Sequence, residues 1–237
     1  MNPAFRIDAV GDRALLLGLG TTVDMATAAR VHALVARLRE RPIEGVRDIV
    51  PAFTTVTLHY RPECFGPAPF ARLRELLLRD YLQAPLDAQP AAARRVEIPV
   101  CYGGEAGPDL EEVAARLGLP AEEVIARHLA SPHRVHMLGF APGFPFIGGL
   151  DPRLALPRRA SPRTQIPPGS VAIAREQSCI YPLATPGGWH LIGRTPLRLF
   201  DPAAEPPCLL APGDEIRFLR IDAAAYAAAC AAATTTS

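Results

Sequence analysis

The chain has 237 residues, 49% of them apolar, with 25 basic against 24 acidic side chains and a formal net charge of +1. That balance, with no block of like charge, removes the electrostatic basis for nucleic-acid binding, and no apolar run approaches the roughly 20 residues that cross a bilayer. Every cation is Arg; without a Lys anywhere, a Schiff-base lysine, a lysine general base and a Walker A phosphate loop are excluded.

The opening MNPAFRIDAVGDR carries an early Asp and no apolar core region, so no secretory leader is expected. AFRIDAV and RALLLGL read as strands on either side of a Gly11-Asp12 turn. GLG at Gly18 to Gly20 lacks the third glycine of a dinucleotide fingerprint and reads as a turn. Asp24 is placed to cap a helix with Val31, Leu34, Val35 and Leu38 on one stripe. VRDIVPA and TTVTLHY follow as strands, then a helix from Pro69 to Tyr81 presents Leu73, Leu76, Leu77 and Tyr81 to a sheet. Residues 1–83 therefore read as a small α+β sandwich. Residues 84–93, poor in bulk and without periodicity, read as a linker.

A second unit, 94–222, opens with the strand RRVEIPVCY. Asp109 and Glu112 stand in a capping-box relation, and PAEEVIARHL predicts a further short helix. From Val135 onward short strands alternate with Pro/Gly corners and close with EIRFLRI, a pattern that predicts a β-barrel. Residues 223–237 form an Ala-rich tail that reads as a fraying helix. The five scattered cysteines (Cys64, Cys101, Cys179, Cys208, Cys230), with no C-x-x-C pair, are expected to be reduced thiols in a cytoplasm.

The densest information lies between His136 and Phe200, where Pro142-Gly143, Gly148-Gly149, Pro167-Pro168-Gly169 and Pro186-Gly187-Gly188 fix turns inside the segment. Between them stand residues suited to recognition: Phe144, Phe146, Arg158, Arg163, Gln177, Tyr181, Trp189 and Arg194. Arg158, Arg159 and Arg163 follow prolines, which stiffen the backbone around guanidinium groups suited to carboxylate or phosphate. Surface pairing with Asp151 or Asp201 is the plain alternative for them. Trp189 suits core packing and a pocket wall equally. His133 and His136 fall on opposite faces of a strand, so no metal site is expected. Ser170 lacks the frame of a nucleophile elbow, and Cys179 reads as a small buried hydrophobe. His190 is the candidate general acid or base because its ordinary pKa lies near neutrality, with a buried hydrogen-bonded His as the alternative.

The phrases GFAPGFPFIGGLDPRLALPRRASPR, PPGSVAIA and IYPLATPGGWHLIGRTPLRLF, in that order, resemble the family of the 5-oxoprolinase B component, also described as allophanate hydrolase subunit 1 and including the kinase inhibitor KipI. The likeness extends to GDRALL, PVCYGGEAGPDLEEVA and PGDEIRF and covers nearly the whole chain except the linker and tail. It implies a ferredoxin-like N-terminal domain followed by a cyclophilin-like β-barrel. It also implies two partners, a KipA-like C component and an A component of 5-oxoprolinase. With them the chain would cleave the small molecule 5-oxo-L-proline to L-glutamate using ATP. Two alternatives are a KipI-like inhibitor of a sensor histidine kinase and one half of a biotin-dependent, urea-type carboxyltransferase. Where the family has a glycine-rich Gln-Thr-Gly phrase, this chain has Arg175-Glu176-Gln177-Ser178-Cys179, which is expected to remove positive-φ freedom and to add bulk. Substrate binding is accordingly expected at Arg158, Arg163, Gln177, Tyr181, Trp189 and Arg194, and partner contact at Phe144 and Phe146. Arg163 in particular is expected to grip an anionic group.

Overall fold

The computed structural model describes residues 5–86 and 93–235. The chain divides into two compact units, Met1–Ala93 and Arg94–Ser237. Residues 87–92 of the expected linker, and 236–237 of the tail, lie outside the described residues.

The first unit runs β1 (Arg6–Val10), β2 (Ala14–Gly18), α1 (Met25–Glu40), β3 (Val46–Pro51), β4 (Thr55–Tyr60) and α2 (Pro69–Asp80). Its four strands form one antiparallel sheet in the order β1-β2-β4-β3. Asp24 caps α1 as its position requires, its Oδ1 accepting from the Thr27 amide at 2.7 Å. The α1 stripe Val31, Leu34, Val35 and Leu38 is buried with Leu73 and Leu77 of α2 against Leu15, Leu17, Val56 and Leu58 of the sheet. Truncating any one of these leucines to Ala would cost roughly 2–5 kcal/mol. Leu86 joins the same core, and Arg37 donates to the carbonyls of Tyr81, Ala84 and Pro85, so the folded unit continues past residue 83. A ferredoxin-like chain runs β-α-β-β-α-β. Here the order is β-β-α-β-β-α, and moving β1 from the front of the unit to its end would restore the other.

The second unit contains β5 (Arg95–Tyr102), α3 (Leu110–Leu117), α4 (Ala121–Ala130), β6 (Arg134–Leu138), β7 (Pro145–Gly148), β8 (Arg163–Ile166), β9 (Ser170–Ala174), β10 (Gln177–Ile180), β11 (Thr185–Gly187), β12 (His190–Arg194), β13 (Glu215–Ile221) and α5 (Ala223–Thr235). Seven strands close a barrel in the order β10-β7-β6-β13-β5-β12-β9, and β8 pairs with β11 in a separate ribbon. One pairing, β5 with β13, is parallel, and it spans Arg95–Cys101 against Glu215–Ile221. Ile98, Val100, Val135, Ile147, Val171, Ile173, Ile180 and Ile192 fill the barrel, while Val113, Val124 and Ile125 of α3 and α4 extend that core outward. A second cluster gathers Phe144, Ile166, Cys179, Tyr181, Trp189 and Leu191. The strands are therefore apolar on more than one face, which is why alternation alone did not show their bounds.

Candidate functional site

A close backbone approach builds the site. A Cβ on Gly107 would fall 2.1 Å from the Ile192 carbonyl oxygen, so only glycine lets the loop before α3 lie against β12. This contact delivers Asp109, 3% exposed, to the strand. Its side chain does not cap α3, which corrects the expected capping box: no side-chain cap bond forms there. Instead Asp109 Oδ2 accepts from the Leu191 amide at 2.7 Å and from Arg163 Nη1 at 2.8 Å. Oδ1 accepts from Arg163 Nη2 at 2.6 Å and Arg159 Nη1 at 3.1 Å. Burial alone would raise the carboxyl pKa; the Arg163 fork, the Leu191 amide and Arg159 outweigh it and hold the group below the usual carboxylate range. Arg159 also reaches Glu112 Oε2 at 3.1 Å.

Arg163 thus has both terminal nitrogens on one buried carboxylate, which corrects the expectation of a fork open to an anion. Arg158, exposed, makes no ion pair among the described residues; its guanidinium carbon lies 5.7 Å from the Trp189 ring centroid, a cation–π contact. Trp189 is both core and wall: 5% exposed, it lines a notch of about 90 Å³ with Arg158, Phe140, Phe144, Phe146 and Tyr181. The rings meet edge to face, Phe144 with Tyr181 at 5.1 Å, with Phe146 at 5.0 Å and with Phe140 at 5.2 Å. Gly187 makes room for the tyrosine, since a Cβ there would lie 2.3 Å from the Tyr181 hydroxyl oxygen. Burial pushes the Tyr181 phenol well above its ordinary pKa, so it stays protonated. Phe144 is 2% exposed and has no surface to offer a partner, which corrects its placement at an interface. The neighbouring Phe140, 65% exposed with a left-handed φ of 70°, presents its ring instead.

His190 is fully buried, and its Nε2–H donates to the Pro157 carbonyl at 2.9 Å. It anchors β12 to the loop before Arg158, the arrangement of the buried, hydrogen-bonded alternative. Gln177 opens β10 and does not line the notch. The turn before it corrects the expectation of lost positive φ: Arg175 adopts φ 53° without a glycine, its amide donating to the Leu156 carbonyl at 2.6 Å. Arg194 ends β12 elsewhere, in a cleft of about 870 Å³ lined also by Cys101, Tyr102, Gly103, Gly104, Glu105, Arg220, Asp222 and Tyr226.

Asp109 was expected only as a helix cap, and Arg159 only as one of three stiffened guanidinium groups. A carboxylate one residue before a helix carries the same local signature whether it caps the helix or turns to a distant Arg. The histidines also hold more than their spacing showed. His128 Nδ1 lies 2.9 Å from the Tyr102 hydroxyl and Nε2 3.1 Å from Ser178 Oγ, while His133 Nε2 donates to the His128 carbonyl at 2.7 Å. Burial lowers His133 to about 4 and holds His128 well below its ordinary range as well. Among the described residues, no group of three or more His, Cys, Asp or Glu is arranged to hold a metal ion, and no helix is long and apolar enough to cross a membrane.

Comparison with known proteins agrees with this architecture. The family model described as carboxyltransferase domain, subdomain C and D, matches residues 5–210. The B-type subunit of 5-oxoprolinase from Bacillus subtilis (strain 168) is 44% identical over 234 residues, covering 95% of this chain and 97% of that protein. The crystal structure of TTHA0988 superposes with a TM-score of 0.75 at 42% identity over 89% of this chain, which spans 40% of that one. The urea amidolyase of K. lactis shares the fold alone, with a TM-score of 0.73 at 19% identity over 96% of this chain and 15% of that one.

Proposed function

The chain belongs to the carboxyltransferase subdomain C and D family, and from that premise we propose that it is the B component of a cytoplasmic, ATP-dependent 5-oxoprolinase. Together with a KipA-like C component and an A component it cleaves 5-oxo-L-proline to L-glutamate. The geometric observation that carries this reading is an unfinished site. The aromatic notch at Trp189 holds a cation with no carboxylate partner, yet its volume of about 90 Å³ falls well below the roughly 300–1,000 Å³ of a ligand pocket. A partner seated over Phe140 would close the notch into a chamber and bring the reacting groups this chain lacks.

Within that chamber each residue has a separate task. Arg158 supplies positive charge at the rim, stacked on Trp189 so that little side-chain freedom is lost when it binds an anion. Tyr181, held protonated by burial, supplies a hydroxyl wall and no base. Asp109 and Arg163 act through others: they clamp β8 and the Arg159 loop to β12 and so hold Trp189 and Arg158 in register. The chain's own groups do not suit a triphosphate. Arg159 and Arg163 are committed to Asp109 and Arg220 to Glu122, with bonds of 2.6 and 3.0 Å in the latter pair. ATP would therefore be held by the complex rather than by this chain alone.

Size-exclusion chromatography of the chain coexpressed with a KipA-like homologue tests the assembly. A single heteromeric peak is expected, with the separated chain silent toward 5-oxoproline. Two independent peaks at micromolar concentration, or robust hydrolysis by the chain alone, would overturn the reading.

A further inference from the structure

We propose that the cleft at the ends of β5, β12 and β13, roofed by the first turn of α5, binds a small molecule bearing a single carboxylate, anchored by Arg194 and Tyr226. The cleft, about 870 Å³, lies within the usual range for a ligand site without help from any partner. Arg194 is half-buried at its wall and forms no ion pair among the described residues. Its Nε is buried with no acceptor, so the guanidinium is under-bonded until something supplies negative charge. Tyr226 lines the same cleft from α5, which sets a phenol as a second polar group in the space that Arg194 faces. Two side chains from different elements, β12 and α5, thus converge in one concave space.

The surrounding charges select the ligand. Arg220 lines the cleft but is bound by both oxygens of Glu122. Glu105 and Asp222 bring negative charge to the rim, and Asp222 caps α5 by accepting from the Ala225 amide at 2.7 Å. With Glu105 and Asp222 at the rim the cleft carries no surplus positive charge, so it repels a di- or triphosphate and leaves room only for one carboxylate placed directly on the unpaired Arg194 fork. Tyr102 and Cys101 add an apolar floor, and consecutive left-handed glycines, Gly103 at φ 71° and Gly104 at φ 52°, keep the adjoining loop free of side-chain bulk. A compact acid with an uncharged body fits this description. The choice of probe, 5-oxo-L-proline, rests on the function proposed above; the site itself does not.

Isothermal titration of the full chain with 5-oxo-L-proline, 2-pyrrolidinone and ATP tests the assignment. Saturable binding of the acid is expected, with neither the uncharged lactam nor the nucleotide competing. Arg194→Gln should weaken binding about tenfold or more and Tyr226→Phe several-fold, while Arg194→Lys keeps the charge and recovers part of the loss. Thermal melts confirm that each variant is folded. Equal affinity in wild type and folded Arg194→Gln, binding of the lactam as tight as the acid, or no saturation up to the solubility limit would each overturn the proposal. An isolated chain that fails to bind, within a complex that still hydrolyses 5-oxoproline, removes this site and leaves the enzyme reading standing. Binding by the chain with no turnover in the complex does the reverse.

Discussion

Arg163 and Asp109, 54 residues apart in sequence, meet fork to fork, with Nη1 2.8 Å from Oδ2 and Nη2 2.6 Å from Oδ1. The carboxylate is buried while the guanidinium is about 29% exposed, so desolvation weighs on one partner and solvent relieves the other. Leu191 and Arg159 complete the carboxylate's hydrogen bonds. A two-oxygen acceptor with four donors fixes the angle between the α3 loop, β8 and β12, and the aromatic notch hangs on that angle.

Asp109→Asn should therefore destabilise the barrel by roughly 2–3 kcal/mol, because it leaves Arg163 without its counter-charge, and Arg159 with Glu112 alone, beside a buried amide. A fall of roughly 5–10 °C in melting temperature is the expected readout. Arg163→Ala should lower stability in the same direction and leave KM of the assembled complex almost unchanged. Arg163→Lys should recover little, since an ammonium cannot satisfy both oxygens in the plane of the fork. A raised KM in a normally stable Arg163→Ala complex would return this residue to direct substrate binding.

Gly187→Ala places a methyl group 2.3 Å from the Tyr181 hydroxyl and 2.7 Å from Ile166 Cδ1. Overpacking of this kind typically costs about 1–3 kcal/mol. The double variant Gly187→Ala, Tyr181→Phe should recover part of that loss, because the nearest clashing atom is gone. Additive effects in the double-mutant cycle would show that the two positions do not share the notch.

The buried histidines make the barrel sensitive to acid. Burial depresses His133 to about 4 and His128 well below its ordinary range. The native state thus binds fewer protons than the unfolded chain, whose histidines titrate near 6.5. Stability is full above pH 6.5 and falls as pH drops toward 4, by roughly 3 kcal/mol for His133 alone. Denaturant melts at pH 7.5, 6 and 4.5 should show this slope, and His133→Gln should flatten it. A midpoint that is unchanged across that window would contradict the burial argument.

Phe140→Ser should leave the folded chain intact, since the ring is 65% exposed, and weaken its heteromer by about tenfold if the ring is a central anchor. Titration with the KipA-like partner, followed by light scattering or calorimetry, measures this directly. Undiminished affinity would move the interface away from the notch.

The fold was largely legible because its signals are local. Asp24 capped α1, Leu73 and Leu77 faced the first core, and Pro/Gly corners marked the barrel turns, each within a few residues of its cause. The circular order of seven strands was not legible, because the parallel pairing of β5 with β13 joins residues about 120 apart and leaves no local trace. Phe144, Phe146, Arg158, Tyr181 and Trp189 were recognised by type and do converge on one notch. Their burial was not legible: Phe144 and Phe140 belong to one phrase, yet one is core and the other surface. Arg163 was singled out for its chemistry, but its partner Asp109 lay in another phrase whose helix-start signature concealed it.

The most direct measurement is 5-oxoproline-dependent ATP hydrolysis by the reconstituted complex, with this chain present or left out. Phosphate release and glutamate formation in step, only when this chain accompanies homologues of the C and A components, is the result the account requires. Equal turnover without this chain, or ATP hydrolysis by the full assembly that ignores 5-oxoproline, would contradict it.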